Sequence, residues 1–254
     1  MFKLIKYEVR KSRAALGILL AAIIALEAYY LISLSADSYG NTVTAAVLLA
    51  VSGFAAAIAV FAVGIASYSN ELKQKTSYLI FLTPNSSLAI MAAKTLFTLF
   101  AALVFGGLLG GLCVLDLKLL LERYNEMTSF YEMIDSFLQS QNINLSQFYL
   151  LVGFTAANVL VQVIGYLVVA YFAVTFSATV MQQKKGRGFV TVLVYLLILF
   201  GLNRLSSLWV RGVDAFENVR QLVRALVPEL IQNAVVILLS LFGSAWLLDK
   251  KVSL

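Results

Sequence analysis

Groups able to do bond chemistry are scarce in this chain, so the few polar residues set among apolar ones carry most of the information. The 254 residues include no histidine and one cysteine. That removes Ser–His and Cys–His nucleophile pairs, Cys/His metal sites and any disulfide framework. Neither a Gly-x-x-x-x-Gly-Lys-Ser/Thr loop nor a His-Glu-x-x-His pair occurs, so neither a P-loop for ATP nor a zincin site is expected. No catalytic residue, no metal site and no cofactor held by the chain itself is expected. What remains is Glu27, a carboxylate near the middle of an otherwise uncharged apolar run, with Tyr30 one turn away. In a second run, Thr155, Asn158, Gln162 and Tyr166 recur at helical spacing on one face. A carboxylate inside a membrane segment is by default a functional group, facing either a cavity or a partner helix; Asn203 and Arg204 are candidate neighbours. The polar face either lines a hydrated path or bonds to an adjacent helix. Glu27, Tyr30, Asn158, Gln162 and Tyr166 are therefore the candidate substrate-path residues.

The elements that must position these residues follow from composition. The chain is 61% hydrophobic and 13% charged, with a mean hydropathy of +0.90. A soluble domain of this size cannot keep so much apolar surface from water, so lipid has to be the solvent. Six apolar segments stand out, at about 14–35, 43–69, 86–114, 148–180, 188–210 and 228–248. Each is long enough to cross a hydrocarbon core of about 30 Å as a helix. Helices are the expected element because every backbone N–H and C=O must be paired inside lipid. The first run exceeds a signal peptide's apolar region of roughly 7–15 residues and is read as a retained span. The fold class expected is an all-α polytopic membrane protein forming a single domain over 1–254.

Lysine and arginine set the orientation. One set of termini and connectors holds Lys3, Lys6, Arg10, Lys11, Arg13, Lys73, Lys75, Lys94, Lys184, Lys185, Arg187, Lys250 and Lys251. The opposite set holds only Lys118, Arg123, Arg204, Arg211, Arg220 and Arg224. The positive-inside rule then puts both termini in the cytoplasm of a multi-pass protein of the cell membrane. The net charge of +6 is read as this topology signal, with no nucleic-acid partner. Residues 1–13 place Phe2, Ile5 and Val9 on one face and bases elsewhere, the composition of an interfacial helix on anionic lipid. The segment 115–147 carries a stripe through Leu117, Leu120, Tyr124, Met127, Tyr131, Ile134 and Leu138, read as an external amphipathic helix or hairpin that either continues the third span or rests on lipid. A second external segment, 211–227, is read as a shallow surface helix whose Arg220 and Arg224 pair with acids of the first. Pro228-Glu229 is expected to open the sixth span, since the missing N–H costs nothing there. Gly106, Gly107, Gly110 and Gly111 form small-x-x-x-small pairs that let another helix approach, either within the chain or from a second copy.

The connector 70–87 is the most structured polar segment. Glu71, Lys73 and Lys75 end the second span in water. Tyr78, Leu79, Phe81 and Leu82 then form an apolar patch outside the membrane, closed by Thr83, Pro84, Asn85 and Ser86. Such a patch needs a partner or a membrane surface. The order Glu71, Thr76, Leu79, Leu82, Pro84, Ser86 and, in the next span, Lys94 resembles the first cytoplasmic loop of type-2 ABC transporter permeases, departing from it at Lys75, where that family often has glycine. The layout of the whole chain is similar too. The resemblance implies that the connector is a coupling helix held in a groove of a cytoplasmic ATP-binding subunit. Its contact residues are then Glu71, Lys73, Lys75, Thr76, Tyr78, Leu79, Leu82, Pro84, Asn85 and Ser86. The short basic connector with Lys184, Lys185 and Arg187 is a possible second contact. It further implies two ATP-binding subunits carrying ATP and Mg, a second permease, with a homodimer favoured, and a small bacterial exporter of peptides, drugs or other amphiphiles. Two other classes stand beside this reading: a membrane module that regulates or assembles without transporting, and an ion-driven secondary transporter. The latter's signature is paired intramembrane carboxylates, and the sequence displays one, Glu27.

Overall fold

Long apolar runs with no strand-like alternation give helices. The computed structural model of the chain describes residues 2–73, 86–140, 143–181, 186–210 and 219–251. Among these, seven α-helices follow one another: α1 (Phe2–Ser35), α2 (Tyr39–Lys73), α3 (Ser87–Arg123), α4 (Met127–Ser140), α5 (Leu145–Val180), α6 (Arg187–Val210) and α7 (Val219–Lys251). All but α4 are long and apolar enough to cross a membrane. Large apolar side chains point outward along them: Ile18 is 74% exposed, Phe54 77% and Phe189 74%. Water does not tolerate such faces over whole helices, whereas lipid does. The chain is an all-helical, multi-pass membrane protein.

The helices are longer than the apolar segments alone suggest. α1 has 34 residues and α3 has 37, about 51 and 55 Å at 1.5 Å per residue. Both exceed the hydrocarbon thickness of about 30 Å. The basic N-terminal residues are accordingly the first turns of α1 itself, with no break before the apolar run. The stripe expected over 115–147 is split: its first part completes α3, the chain turns at Tyr124–Glu126 with Asn125 at φ 56°, and α4 follows. Asparagine accepts this left-handed conformation more readily than most residues. α7 differs from expectation as well. It starts at Val219 and carries Pro228 within it, so Pro228-Glu229 does not open the helix. Proline in a membrane helix is tolerated where neighbouring groups take up the freed carbonyl. The side chains of Arg220 and Arg224 lie outside the described residues, and so does their expected pairing.

The chain divides into two compact units, one of residues 1–67 and 96–134, the other of residues 68–95 and 135–254. In the first, α1, α2 and α3 pack around Ile23, Ala56, Val60, Ala101 and Phe105, with a further cluster of Tyr30, Leu34 and Ala45. Alanines at these contacts let the backbones approach. The N-terminal turns are tied down by polar contacts. Ser67 Oγ donates to Glu8 Oε2 at 2.9 Å, and Lys11 Nζ donates to the Ser67 carbonyl at 3.1 Å. Elsewhere in this unit the α1–α2 turn, with Asp37 at φ 51°, is clamped by Arg123. Its Nε donates to Asp37 Oδ1 at 2.7 Å and its Nη2 to Oδ2. α2 and α3 approach closely at Gly64 on α2. A Cβ there would lie 2.5 Å from Thr98 Oγ1 and 2.8 Å from its Cγ2.

In the second unit α5 packs against both α6 and α7. Nearly every residue of α5 from Leu167 to Ser177 is buried, which fits a helix apolar on all sides. Polar bonds join it to its neighbours. Tyr68 and Thr175 share a hydrogen bond of 2.6 Å between hydroxyls, and so do Ser177 and Thr191. The Tyr68 and Tyr171 rings lie 5.0 Å apart.

The glycines yield a test. Thr98 is β-branched and 2% exposed, so it has little room to move aside for a methyl group. A Cβ at Gly107 would meet no atom of the chain within 4 Å. Gly64→Ala is therefore expected to destabilise the chain by about 1–3 kcal/mol, the usual cost of overpacking. Gly107→Ala is expected to lower stability by much less. Thermal unfolding of both variants in the same detergent checks the difference.

Candidate functional site

Helix ends of the second unit meet in one polar cluster. α2 ends just beyond Glu71, and α3 starts at Ser87 after a cap. Ser86 Oγ accepts from the Ala89 N–H at 3.2 Å, which satisfies one of the donors a helix N-terminus leaves open. Lys94, two turns into α3, reaches back to Glu71: Nζ lies 2.6 Å from Oε2, and the two side chains are 5% and 10% exposed. The α2–α3 connector is thus closed at its base by a buried ion pair. Two other elements join the cluster. Arg187 at the start of α6 donates to the Leu72 carbonyl at 3.1 Å, and Ser87 Oγ donates to Asp249 Oδ1 near the end of α7 at 2.5 Å.

This places the expected contact residues unequally. Glu71 and Lys94 are buried and engaged with each other, and Arg187 is bound to a backbone carbonyl. Ser86 caps α3 and is exposed. Lys75, Thr76, Tyr78, Leu79, Leu82, Pro84, Asn85, Lys184 and Lys185 lie outside the described residues, as does the side chain of Lys73. Sequence order signalled Glu71 and Lys94 separately. Their pairing is a tertiary fact that spacing alone does not reveal.

The expected substrate-path residues fall into two separate places. Tyr30 lines an apolar cavity of about 530 Å³ within the first unit, walled by residues such as Leu49, Phe54, Leu109, Leu112 and Leu117. Its hydroxyl donates to the Asp116 carbonyl at 2.9 Å. Asp116 lines the same cavity, and its side chain neighbours that of Glu27. Glu27 Oε2 and Asp116 Oδ1 are buried without a hydrogen-bond partner. Of the two alternatives for this external segment, its first part follows the continuation of the third span: α3 runs on to Arg123 and carries Asp116 beside Glu27.

Gln162 and Tyr166 line a second cavity, of about 630 Å³, within the second unit. Gln162 Nε2 donates to the Tyr166 hydroxyl oxygen at 2.9 Å. Asn203 and Ser206 of α6 and Glu229, Gln232 and Asn233 of α7 complete its polar lining. Asn158 lines neither cavity, and its Oδ1 is buried without a partner. The α7 residues were missed in the sequence, although Glu229, Gln232, Asn233 and Val236 follow helical spacing on one face.

The ion pair at the connector base is testable by a double-mutant cycle. Removing one partner of a buried pair typically costs about 3–5 kcal/mol, because it strands the other charge. Lys94→Met and Glu71→Gln are each expected to destabilise the chain strongly. The double variant is expected to be more stable than the summed losses imply, with a coupling of about 1–3 kcal/mol. Denaturation of the four proteins in detergent measures it.

No family model, curated protein or solved structure matches this chain.

Proposed function

We propose that the chain is the transmembrane permease subunit of an ATP-driven exporter of the type-2 ABC class, moving a peptide-like or amphiphilic substrate across the cell membrane. It works with a separate cytoplasmic ATP-binding subunit, in two copies, and a second permease, in a homodimer. ATP and Mg belong to the partner, and this chain makes and breaks no bonds. Both termini and the two basic connectors face the cytoplasm, in a bacterial cell.

The observation that supports this reading most is the Glu71–Lys94 ion pair. The two charged positions that flank the resembling connector motif are bound to each other. A segment that transmits force needs its ends held, so that displacement of the connector moves α2 and α3 rather than slackening a loop. The Arg187–Leu72 and Ser87–Asp249 bonds extend the same bracing to α6 and α7. Glu71 therefore acts inside the chain, and the grip on the ATP-binding subunit passes to the connector residues beyond it. ATP-driven closure of the partner subunits would shift the spans between two arrangements by differential binding.

One observation favours an ion-driven secondary transporter instead. Glu27 and Asp116 form the pair of intramembrane carboxyl groups expected at a coupling-ion site. In that case substrate movement in proteoliposomes would follow an imposed pH gradient without ATP, and Glu27→Gln would abolish it.

The deciding experiment is copurification in mild detergent with ATP-binding subunits encoded in the same genome. Wild type is expected to retain one of them and support ATP hydrolysis. A Leu79→Asp/Pro84→Ala variant, which leaves Glu71 and Lys94 intact, is expected to lose both while remaining folded. Retention of no ATP-binding subunit by wild type would remove the exporter reading.

A further inference from the structure

The cavity of the first unit is a trough between α2 and α3. Ala46, Ala50 and Gly53 of α2 line one wall, and Gly110, Cys113 and Leu117 of α3 line the other. Small residues on both helices leave open space where larger ones would close a packed seam. Tyr30 of α1, 1% exposed, forms its floor. The rim is open: Leu117 is 42% exposed and Cys113 is exposed. The lining residues of α2 run from Ala46 to Ala57, about 16 Å at 1.5 Å per residue. In lipid, an apolar trough of this length admits a hydrocarbon chain from the side. Its volume of about 530 Å³ falls within the range of roughly 300–1,000 Å³ typical of small-molecule sites.

The one carboxyl group in this lining is that of Asp116, and the Glu27 side chain neighbours it. Neither acid has a basic partner among the described residues. The bases carried by the same end of α3 are engaged elsewhere: Lys118 Nζ lies 3.6 Å from Glu122 Oε1, and Arg123 holds Asp37. An anionic group surrounded by hydrocarbon is costly unless a cation accompanies it. Asp116 Oδ1 is enclosed, so the attraction does not run through a bond to that atom. It comes from the charge of the carboxylate as a whole, whose field at low dielectric extends over several ångströms. Charge complementarity therefore asks for a cation beside Asp116, and the apolar walls ask for a hydrocarbon body attached to it.

We infer that this trough binds a single-chain amphiphile with a cationic head, its tail laid between α2 and α3 and its ammonium group held by the charge of Asp116. Binding itself requires no ATP-binding subunit. Only transport of the bound amphiphile rests on the exporter reading, whose substrate it narrows to cationic amphiphiles that enter from the bilayer.

The test is equilibrium binding of radiolabelled dodecylamine to the purified full chain in phosphatidylcholine nanodiscs, with binding to empty nanodiscs subtracted. Dodecanol carries the tail without the charge, and butylamine the charge without the tail. Dodecylamine is expected to bind wild type saturably, and more tightly than either competitor displaces it. Asp116→Asn keeps the side-chain shape and retains the backbone carbonyl that Tyr30 bonds. It is expected to weaken dodecylamine about tenfold, a modest effect for one charge pair at low dielectric. Gly53→Leu and Gly110→Leu fill the trough from opposite walls. A Cβ at either glycine meets no atom of the chain within 4 Å, so both variants are expected to keep the thermal midpoint and lose saturable binding. The inference is overturned if folded wild type shows no saturable binding, the result expected where a second copy or a bilayer lipid fills the trough. It is overturned equally if dodecanol competes as well as unlabelled dodecylamine, or if affinity is unchanged in Asp116→Asn or in either folded filling variant. A chain that binds dodecylamine but retains no ATP-binding subunit keeps this site and loses the exporter reading. A chain that retains the subunit but does not bind dodecylamine loses this site alone.

Discussion

A polar group carried by a helix in lipid has to be satisfied by another group of the protein, because the hydrocarbon offers it nothing. Most of the interhelical organisation described here follows from that constraint. Tyr30 finds the Asp116 carbonyl, Tyr68 finds Thr175, Ser177 finds Thr191, and Gln232 finds Leu202 and Ser206. Apolar packing between membrane helices has no hydrophobic driving force of its own, since lipid tails are as apolar as leucine. Small residues therefore set how closely the helices approach, as at Gly64, while these polar bonds set which rotation each helix adopts.

The same constraint gives meaning to the groups left over. A buried donor or acceptor without a partner is a standing cost. Most of the described side-chain atoms in that state belong to Glu27, Asp116, Asn158, Gln232 and Asn233, and four of these residues lie in or beside the two cavities. The two sets differ in chemistry. Glu27 and Asp116 present carboxyl oxygens beside an almost wholly apolar cavity, which suits a proton or a cation. Gln232 and Asn233 leave one amide oxygen and one amide nitrogen enclosed without a partner.

Much of the fold was legible in the sequence, because hydropathy reports the solvent directly. Each of the six apolar segments corresponds to a helix of sufficient length. The helix ends were less legible, for one physical reason. Hydropathy marks where lipid begins and ends, whereas a helix ends where its backbone stops pairing. α3 therefore runs past the apolar segment to Arg123, taking Asp116 with it, and α7 begins before Pro228 rather than at it. The site was less legible still. Glu27 was conspicuous as a lone charge, and Gln162 and Tyr166 as a polar face, yet the partner of Glu27 and the α7 wall depend on which helices meet. Glu229, Gln232 and Asn233 sit near the start of an apolar segment, where polar residues usually mark a membrane boundary and attract no further interpretation.

The ion pair between Glu71 and Lys94 shows how one motif can carry two kinds of information. As a sequence pattern, Glu71 reads as a surface charge at the end of a span, available to a partner. In the structure it is nearly enclosed and held by Lys94. Replacing a buried ion pair with apolar residues is often neutral or stabilising, so stability alone is a weak reason to retain one. A directional interaction at this place offers what apolar packing does not, a fixed register between the end of α2 and the start of α3. If a partner moves the intervening connector, that register determines whether the motion reaches the spans. On the exporter reading, the conspicuous charge in the motif is the hinge pin of the coupling element, and recognition of the partner falls to the uncharged residues between Thr76 and Pro84.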